Sequence, residues 1–352
     1  MNTKLYKIDL ENINTSYMKE AGNLIASGEL VAFPTETVYG LGGDALDPKA
    51  AGRIYEAKGR PSDNPLIVHI AELKDLERVA KVLPKQAEKL AEAFWPGPLT
   101  MVVWKKEEVP YATTGGLETV AVRMPNHPVA LSLIKNSGKL IAAPSANVSG
   151  RPSPTEAFHV KEDLDGRIAM ILDGGSVGIG IESTIIDLTE DIPMVLRPGY
   201  ITIEMLSEVL GETVLMDPGI LATDDMTKPK ARGMKYKHYA PKADMIIVDG
   251  EKQAVIEKIN ELTKEAEKNG KRTAVIATEE TKCAYLSDTV LSIGTREDED
   301  SIAKHMYKIL RDCDELEVDI IYSESFKTPR IGQAIMNRLL KAAAHQVLML
   351  EE

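Results

Sequence analysis

Leu99-Thr-Met-Val-Val-Trp104 and Val120-Ala-Val-Arg-Met124 are the two runs that decide the fold of the first part of the chain. Both are short and rich in branched apolar residues, which is how buried strands read. Between them lie Pro110, Gly115 and Gly116, with no room for a crossover helix. Parallel neighbours need such a crossover, so the pair is expected to run antiparallel within a mixed sheet. Outward from it, strands are expected at Leu30–Phe33, Leu66–Ile70, Leu140–Ala143, Ile168–Leu172, Thr184–Asp187 and Met194–Arg197. Helical patterns alternate with them at Ser16–Ser27, Lys49–Lys58, Gln86–Phe94, Pro128–Asn136 and Ile203–Leu210. The alternation is that of an α/β layer protein.

The pattern lapses between Leu215 and Pro241, where turn residues and lysines replace apolar periodicity, and a linker is expected over 215–241. Its end, Gly233-Met-Lys-Tyr-Lys-His-Tyr-Ala-Pro241, crowds aromatic, imidazole and basic side chains in a way that a passive tether does not need. After Lys242 a βαβα series begins. Strands are expected at Asp244–Val248, Thr273–Ala277, Val290–Ile293 and Val318–Tyr322, and helices at Lys252–Lys268, Glu299–Cys313 and Gly332–Ala344. This is a small doubly wound domain. It has no Gly-x-Gly-x-x-Gly, so no dinucleotide is indicated.

At 352 residues the chain exceeds one ordinary core, and two domains are the natural division. Lysine plus arginine number 42 against 54 aspartate plus glutamate, a net charge of −12. That balance repels phosphate backbones, and with only 5% aromatics the chain is not expected to bind tRNA strongly. Two cysteines and six scattered histidines offer neither a disulfide framework nor a structural metal site. The first ten residues lack a basic segment followed by an apolar one, and the longest apolar run is Leu99–Trp104. A cytoplasmic protein with no membrane partner is expected.

Against this acidic background, cations collect at strand and loop ends. Lys58 and Arg60 sit in Lys58-Gly-Arg-Pro-Ser-Asp-Asn-Pro-Leu-Ile-Val-His69; Arg123 and Arg197 end strands; Arg151 lies in Ala142-Ala-Pro-Ser-Ala-Asn-Val-Ser-Gly-Arg-Pro-Ser-Pro154. Singly, the strand-end arginines read better as solvated surface groups, and Lys58 and Arg60 equally as cations complementing a helix end. Together they point to a polyanionic ligand such as a nucleoside triphosphate. Pro34-Thr-Glu-Thr-Val-Tyr-Gly-Leu-Gly42 leaves a strand and places hydroxyls and backbone N–H groups where α/β sheets contact ligands. Gly174-Gly-Ser-Val-Gly178 has the spacing of a nucleophile elbow, but no helical period follows Ser176, and a glycine-rich turn is the better reading.

These segments together resemble the two-domain L-threonylcarbamoyladenylate synthase family, tRNA-modification enzymes with a YrdC-like catalytic domain. The signature of Lys-x-Arg and a distant Ser-x-Asn stands here as Lys58-Gly-Arg60 and Ser145-Ala-Asn147, and the resemblance spans nearly the whole chain. It implies a twisted mixed-sheet YrdC-like domain over 1–214, a linker over 215–241 that covers the site, and a Rossmann-like domain over 242–352. It implies that L-threonine, bicarbonate or carbon dioxide, and ATP with Mg²⁺ give threonylcarbamoyl-AMP and pyrophosphate. The intermediate would pass to a tRNA threonylcarbamoyl-transfer enzyme. Threonine would meet Thr37, His69, Arg123, Ala143 and Ser183. The nucleotide would meet Lys58, Arg60, Asn64, Thr119, Ser145, Asn147, Ser153, Arg197 and, from the linker, Tyr236. Lys58 and Arg60 would be catalytic. Three other readings compete: a non-catalytic RNA-binding module, a serine hydrolase built on Ser176, and a transferase making a different carbamoyl-adenylate from carbamoyl phosphate.

Overall fold

The computed structural model describes residues 2–220 and 239–350. They fall into two compact units. One holds residues 2–149, 153–178 and 182–220, the other 150–152, 179–181 and 239–350.

In chain order the first unit contains β1 (Lys4–Lys7), α1 (Thr15–Ala26), β2 (Val31–Phe33), β3 (Gly40–Asp44), α2 (Pro48–Lys58), β4 (Ile67–His69), α3 (Lys85–Phe94) and β5 (Leu99–Trp104). It continues with α4 (Tyr111–Thr114), β6 (Thr119–Arg123), α5 (Pro128–Ser137), β7 (Ile141–Ala142), α6 (Ala157–Leu164) and β8 (Met170–Asp173). β9 (Thr184–Asp187), β10 (Met194–Arg197), α7 (Ile203–Leu210) and β11 (Leu215–Met216) complete it. The strands form one mixed sheet in the order β1-β8-β2-β3-β7-β4-β6-β5-β9-β10-β11. The pair read first from the sequence is antiparallel, with Thr100 opposite Arg123 and Val103 opposite Val120. β4 runs parallel to β6 and sets His69 beside Arg123.

α2 shows why helices fall where they do. Asp47 caps it by accepting from Lys49 N, Pro48 opens it, and Gly59 closes it in the left-handed region at φ 58°. That closure turns the chain out of the helix directly after Lys58. β3 is absent from the sequence expectation, because Gly-Leu-Gly-Gly-Asp has little strand propensity. Its glycines are required by packing: a Cβ at Gly42 would lie 2.7 Å from Ile141 Cγ2 and 2.9 Å from Phe33 Cε1. β1, α4, α6 and the two-residue β11 are likewise additions. β11 pairs with Met194 and Val195, inside the stretch expected to be linker.

The second unit contains β12 (Asp244–Asp249), α8 (Lys252–Lys268), β13 (Thr273–Ala277), β14 (Val290–Ser292), α9 (Glu299–Glu315), β15 (Ile320–Glu324), α10 (Gly332–Ala342) and β16 (Val347–Met349). Its sheet is parallel throughout, ordered β14-β13-β15-β12-β16. β15 starts two residues later than the apolar run suggests, because the turn after α9 continues through Glu317 at φ 51°. No helix among the described residues is long and apolar enough to cross a membrane.

Candidate functional site

The turn after β2 is built by Thr35. Its hydroxyl donates to the Val38 carbonyl at 2.7 Å and accepts from the backbone N–H groups of Thr37 and Val38. Because the only proton of Thr35 is committed, Thr37 is the donor in the 2.9 Å contact between the two hydroxyls. Thr37 in turn accepts from Arg123 Nη1 at 2.9 Å. Both ends of that hydroxyl are thereby fixed.

Arg123 ends β6 with Nη1 donating to Thr37, Nε to the Gly97 carbonyl at 3.3 Å, and Nη2 in a 2.7 Å ion pair with Glu36 Oε1 that lacks hydrogen-bond alignment. His69, buried beside it, has Nδ1 3.1 Å from the Ile67 carbonyl, so in the neutral ring the proton sits on Nδ1. Burial, reinforced by the Arg123 charge, pushes its pKa down to about 3. His69 is therefore a neutral polar wall and no acid or base near neutral pH.

Across the sheet, a register slip between Val195 and Arg197 sets Arg197 opposite Ile185. From there its Nε donates to the Ser183 carbonyl at 3.0 Å and Nη2 to Ser183 Oγ at 3.1 Å. Ser183 Oγ also shares a 2.7 Å bond with Thr100. Gly199 allows this fold-back, since a Cβ there would fall 2.4 Å from Thr184 N.

The third group joins the two halves of the signature. Lys58 Nζ reaches the Ser145 carbonyl at 2.5 Å, the Asn147 carbonyl, and Asn147 Oδ1 at 3.5 Å, while Ser145 Oγ bonds Asn147 Oδ1. Arg60 Nη2 donates to the Asn64 carbonyl at 3.0 Å. Ser153 Oγ donates to Glu182 at 2.6 Å. Lys58, Arg60, Arg123 and Arg197 are each at most 7% exposed. Four cations withdrawn this far from water need fixed counter-charges and dipoles, which these contacts supply.

Thr37, His69, Arg123, Ala143, Ser145, Ser183 and Arg197 line one cavity of about 20 Å³. All five residues expected around threonine are there, with two of those expected around the nucleotide. Lys58, Asn147 and Ser153 adjoin it through their bonds to Ser145 and to Glu182, another wall residue. Arg60 and Asn64 form a neighbouring pair on the loop after α2. Thr119 lies on the Arg123 face of β6, four residues and about 13 Å along the strand. Arg151 belongs instead to the second unit, where Nη2 is 3.5 Å from Asp314. Tyr236 and the remainder of 221–238 lie outside the described residues.

Two residues here were not expected from the sequence, Glu36 against Arg123 and the buried Glu182. Their signal was a single carboxylate set among hydroxyls and glycines. Ser176 shows no nucleophile geometry: it is exposed, no helix follows it, and its hydroxyl donates to Glu156 at 3.1 Å.

Two family models match the chain. One, described as telomere recombination (Sua5, YciO, YrdC), covers residues 23–199, and the other, described as threonylcarbamoyl-AMP synthase, C-terminal domain, covers 201–344. A threonylcarbamoyl-AMP synthase of Pyrococcus abyssi is 49% identical over 96% of this chain and 97% of its own length. That of Bacillus subtilis is 48% identical over 99% and 100%. A crystal structure of P. abyssi Sua5 complexed with L-threonine superposes with a TM-score of 0.93 at 47% identity, covering 99% of this chain and 100% of that one.

Proposed function

The chain belongs to the threonylcarbamoyl-AMP synthase family, and on that premise we propose that its first unit holds L-threonine against Arg123 and ATP along β6, the 58–64 loop, Ser145, Asn147 and Ser153. Its activity is the transfer of an adenylyl group from ATP to a threonine carbamate. What carries the site assignment is the convergence of Thr37, His69, Arg123, Ala143 and Ser183, from five separate stretches of chain, on one cavity.

The chemistry asks little of acids and bases. The threonine amine, in its free-base form, adds to carbon dioxide (free, or formed from bicarbonate with loss of hydroxide) and gives up a proton to water, and the resulting carbamate oxygen is anionic. It attacks the α-phosphorus, and pyrophosphate leaves. The protein's work is to position the reactants and to stabilise charge on the phosphoryl oxygens. Arg123 offers a planar fork to the threonine carboxylate. Lys58 and Arg60 stand by the phosphates. A neutral His69 suits this arrangement, since a charged ring so close would repel Arg123.

Among the described residues no group of three or more His, Cys, Asp or Glu side chains forms a cage for a metal ion. Mg²⁺ would enter with ATP, held mainly by its phosphate oxygens and by water. When bound, it would supply positive charge to offset the negative charge developing on the pyrophosphate oxygens. We read the first unit, through β11, as catalytic and 242–352 as a separate Rossmann-like domain. The product, a labile mixed anhydride, would be consumed by a tRNA threonylcarbamoyl-transfer enzyme.

The test is pyrophosphate release from ATP with magnesium and bicarbonate, with and without L-threonine. Release that needs threonine, and is not restored by serine or alanine, is expected. Release driven by carbamoyl phosphate and indifferent to threonine would overturn the reading.

A further inference from the structure

The second unit carries a cavity of about 360 Å³ that the adenylyl transfer does not use, within the usual size range of small-molecule sites. It opens at the carboxyl ends of β12 and β15. These strands are neighbours, yet the chain leaves β12 towards β13 on one side and leaves β15 towards β16 on the other. Such a reversal opens a crevice above a parallel sheet, and ligands of doubly wound folds bind there.

The walls are built for an anion. Glu324, at the end of β15 and 2% exposed, accepts from the Thr281 hydroxyl, from Tyr285 at 2.8 Å and from Arg296 Nη2 at 2.7 Å. Arg296 Nη2 also donates to the Ser325 carbonyl at 2.9 Å, and the guanidinium lies 5.5 Å from the centre of the Phe326 ring. One edge of the fork is thus fixed. Its Nε and Nη1 donate to no group among the described residues. Lys327, paired with Asp249, and Lys252, at the start of α8, bring two more cations to the same walls. Three cations against two carboxylates reverse the sign of a chain whose net charge is −12.

The absence of a glycine-rich fingerprint is also accounted for. Gly250 is set by packing, since a Cβ there would lie 2.9 Å from Leu350 Cβ. The first amides of α8 are taken by Glu251, which accepts from Gln253 N at 2.8 Å and Ala254 N at 3.3 Å. Recognition of an anion at this strand-to-helix turn therefore falls to side chains.

We propose that this cavity is a binding site for a small phosphate-bearing molecule, its phosphoryl group on the open edge of Arg296 with Lys252 and Lys327 beside it. Val248 and Val255 give the rest of the molecule an apolar wall. The site is distinct from the catalytic one and needs no glycine-rich loop.

The test is hydrogen–deuterium exchange on the full chain with AMP or with pyrophosphate, for wild type, Arg296→Lys and Lys252→Glu. Arg296→Lys keeps a positive charge facing Glu324 and removes the fork. Protection is expected in 248–255 and 324–327. Its half-saturating concentration should rise about tenfold or more in each variant, the equivalent of one charge-assisted hydrogen bond. Protection by AMP alone identifies a nucleoside phosphate, and protection by both identifies the phosphoryl group as the recognised part. Protection by neither, or protection unchanged in both variants, overturns the proposal. Protection in 58–69 and 145–153 reports on the catalytic site separately, so failure of one reading leaves the other standing.

Discussion

Lys58 and Ser145 lie 87 residues apart in the sequence and are joined by a 2.5 Å hydrogen bond from the ammonium to the backbone carbonyl. With the further bonds to Asn147, the Lys-x-Arg and Ser-x-Asn halves of the signature become a single hydrogen-bonded object. Lys58→Ala leaves three buried oxygens without this donor. We expect pyrophosphate release to fall roughly 100- to 1,000-fold, with a loss of about 1–3 kcal/mol in urea unfolding. Near-normal turnover in the folded variant would remove Lys58 from the mechanism.

Glu36 holds the Nη2 edge of Arg123, the fork assigned to the threonine carboxylate. A substrate carboxylate must displace it. Glu36→Gln keeps the shape and weakens the competing ion pair, so the KM for L-threonine should fall about fivefold, the equivalent of roughly 1 kcal/mol. A KM that rises instead would show that Glu36 itself binds substrate, for instance through the threonine ammonium.

His69 is neutral in the fold down to about pH 3, against 6.5 for an ordinary histidine. Between those values the unfolded chain binds a proton that the folded chain does not. Stability therefore falls as pH drops from 6.5 towards 3, by up to about 1.4 kcal/mol per pH unit for this group. Urea midpoints at pH 7.5 and 5.0 should differ less in His69→Gln than in wild type. An equal difference in both would mean that His69 titrates normally.

Ser176→Ala should leave pyrophosphate release unchanged, and an active-serine probe should label nothing in the wild-type chain. Covalent labelling at Ser176 would reopen the hydrolase reading that its exposed loop position argues against.

Gly22 lies inside α1, where alanine would ordinarily favour the helix. A Cβ there would sit 2.6 Å from Asn136 C and 2.8 Å from Ser137 N, both backbone atoms at the end of α5. Gly22→Ala should accordingly destabilise, by about 1–3 kcal/mol in thermal or urea unfolding. Unchanged or raised stability would show that α1 and α5 can separate cheaply.

The elements legible from sequence were those with their own signal. β5, β9, β10, α7, α8 and β13 stand where apolar period and flanking turn residues place them. β3 was not legible, because its strand geometry comes from Phe33 and Ile141 packing over glycines, which is a property of the neighbours. The site divides the same way. Arg123 and Arg197 could be picked out as cations ending strands. Glu36 and Glu182 could not, because a carboxylate's part depends on which cation the fold brings to it. The neutrality of His69 likewise comes from burial beside Arg123, and no spacing encodes it.

β1 waits long for its neighbour: the Thr3 hydroxyl donates to the Ile168 carbonyl across 165 residues, and Lys4 stands opposite Met170. At a ribosomal pace of about 5–20 residues per second, β1 waits roughly ten to thirty seconds for β8 to be synthesised. Through that interval it has no partner, and in the finished sheet it remains an edge with one side unpaired. Lys4 and Lys7 flank it at both ends, and charged side chains are what keep such an edge from recruiting a stranger. Replacing them with apolar residues would expose newborn and finished copies alike to edge-to-edge aggregation.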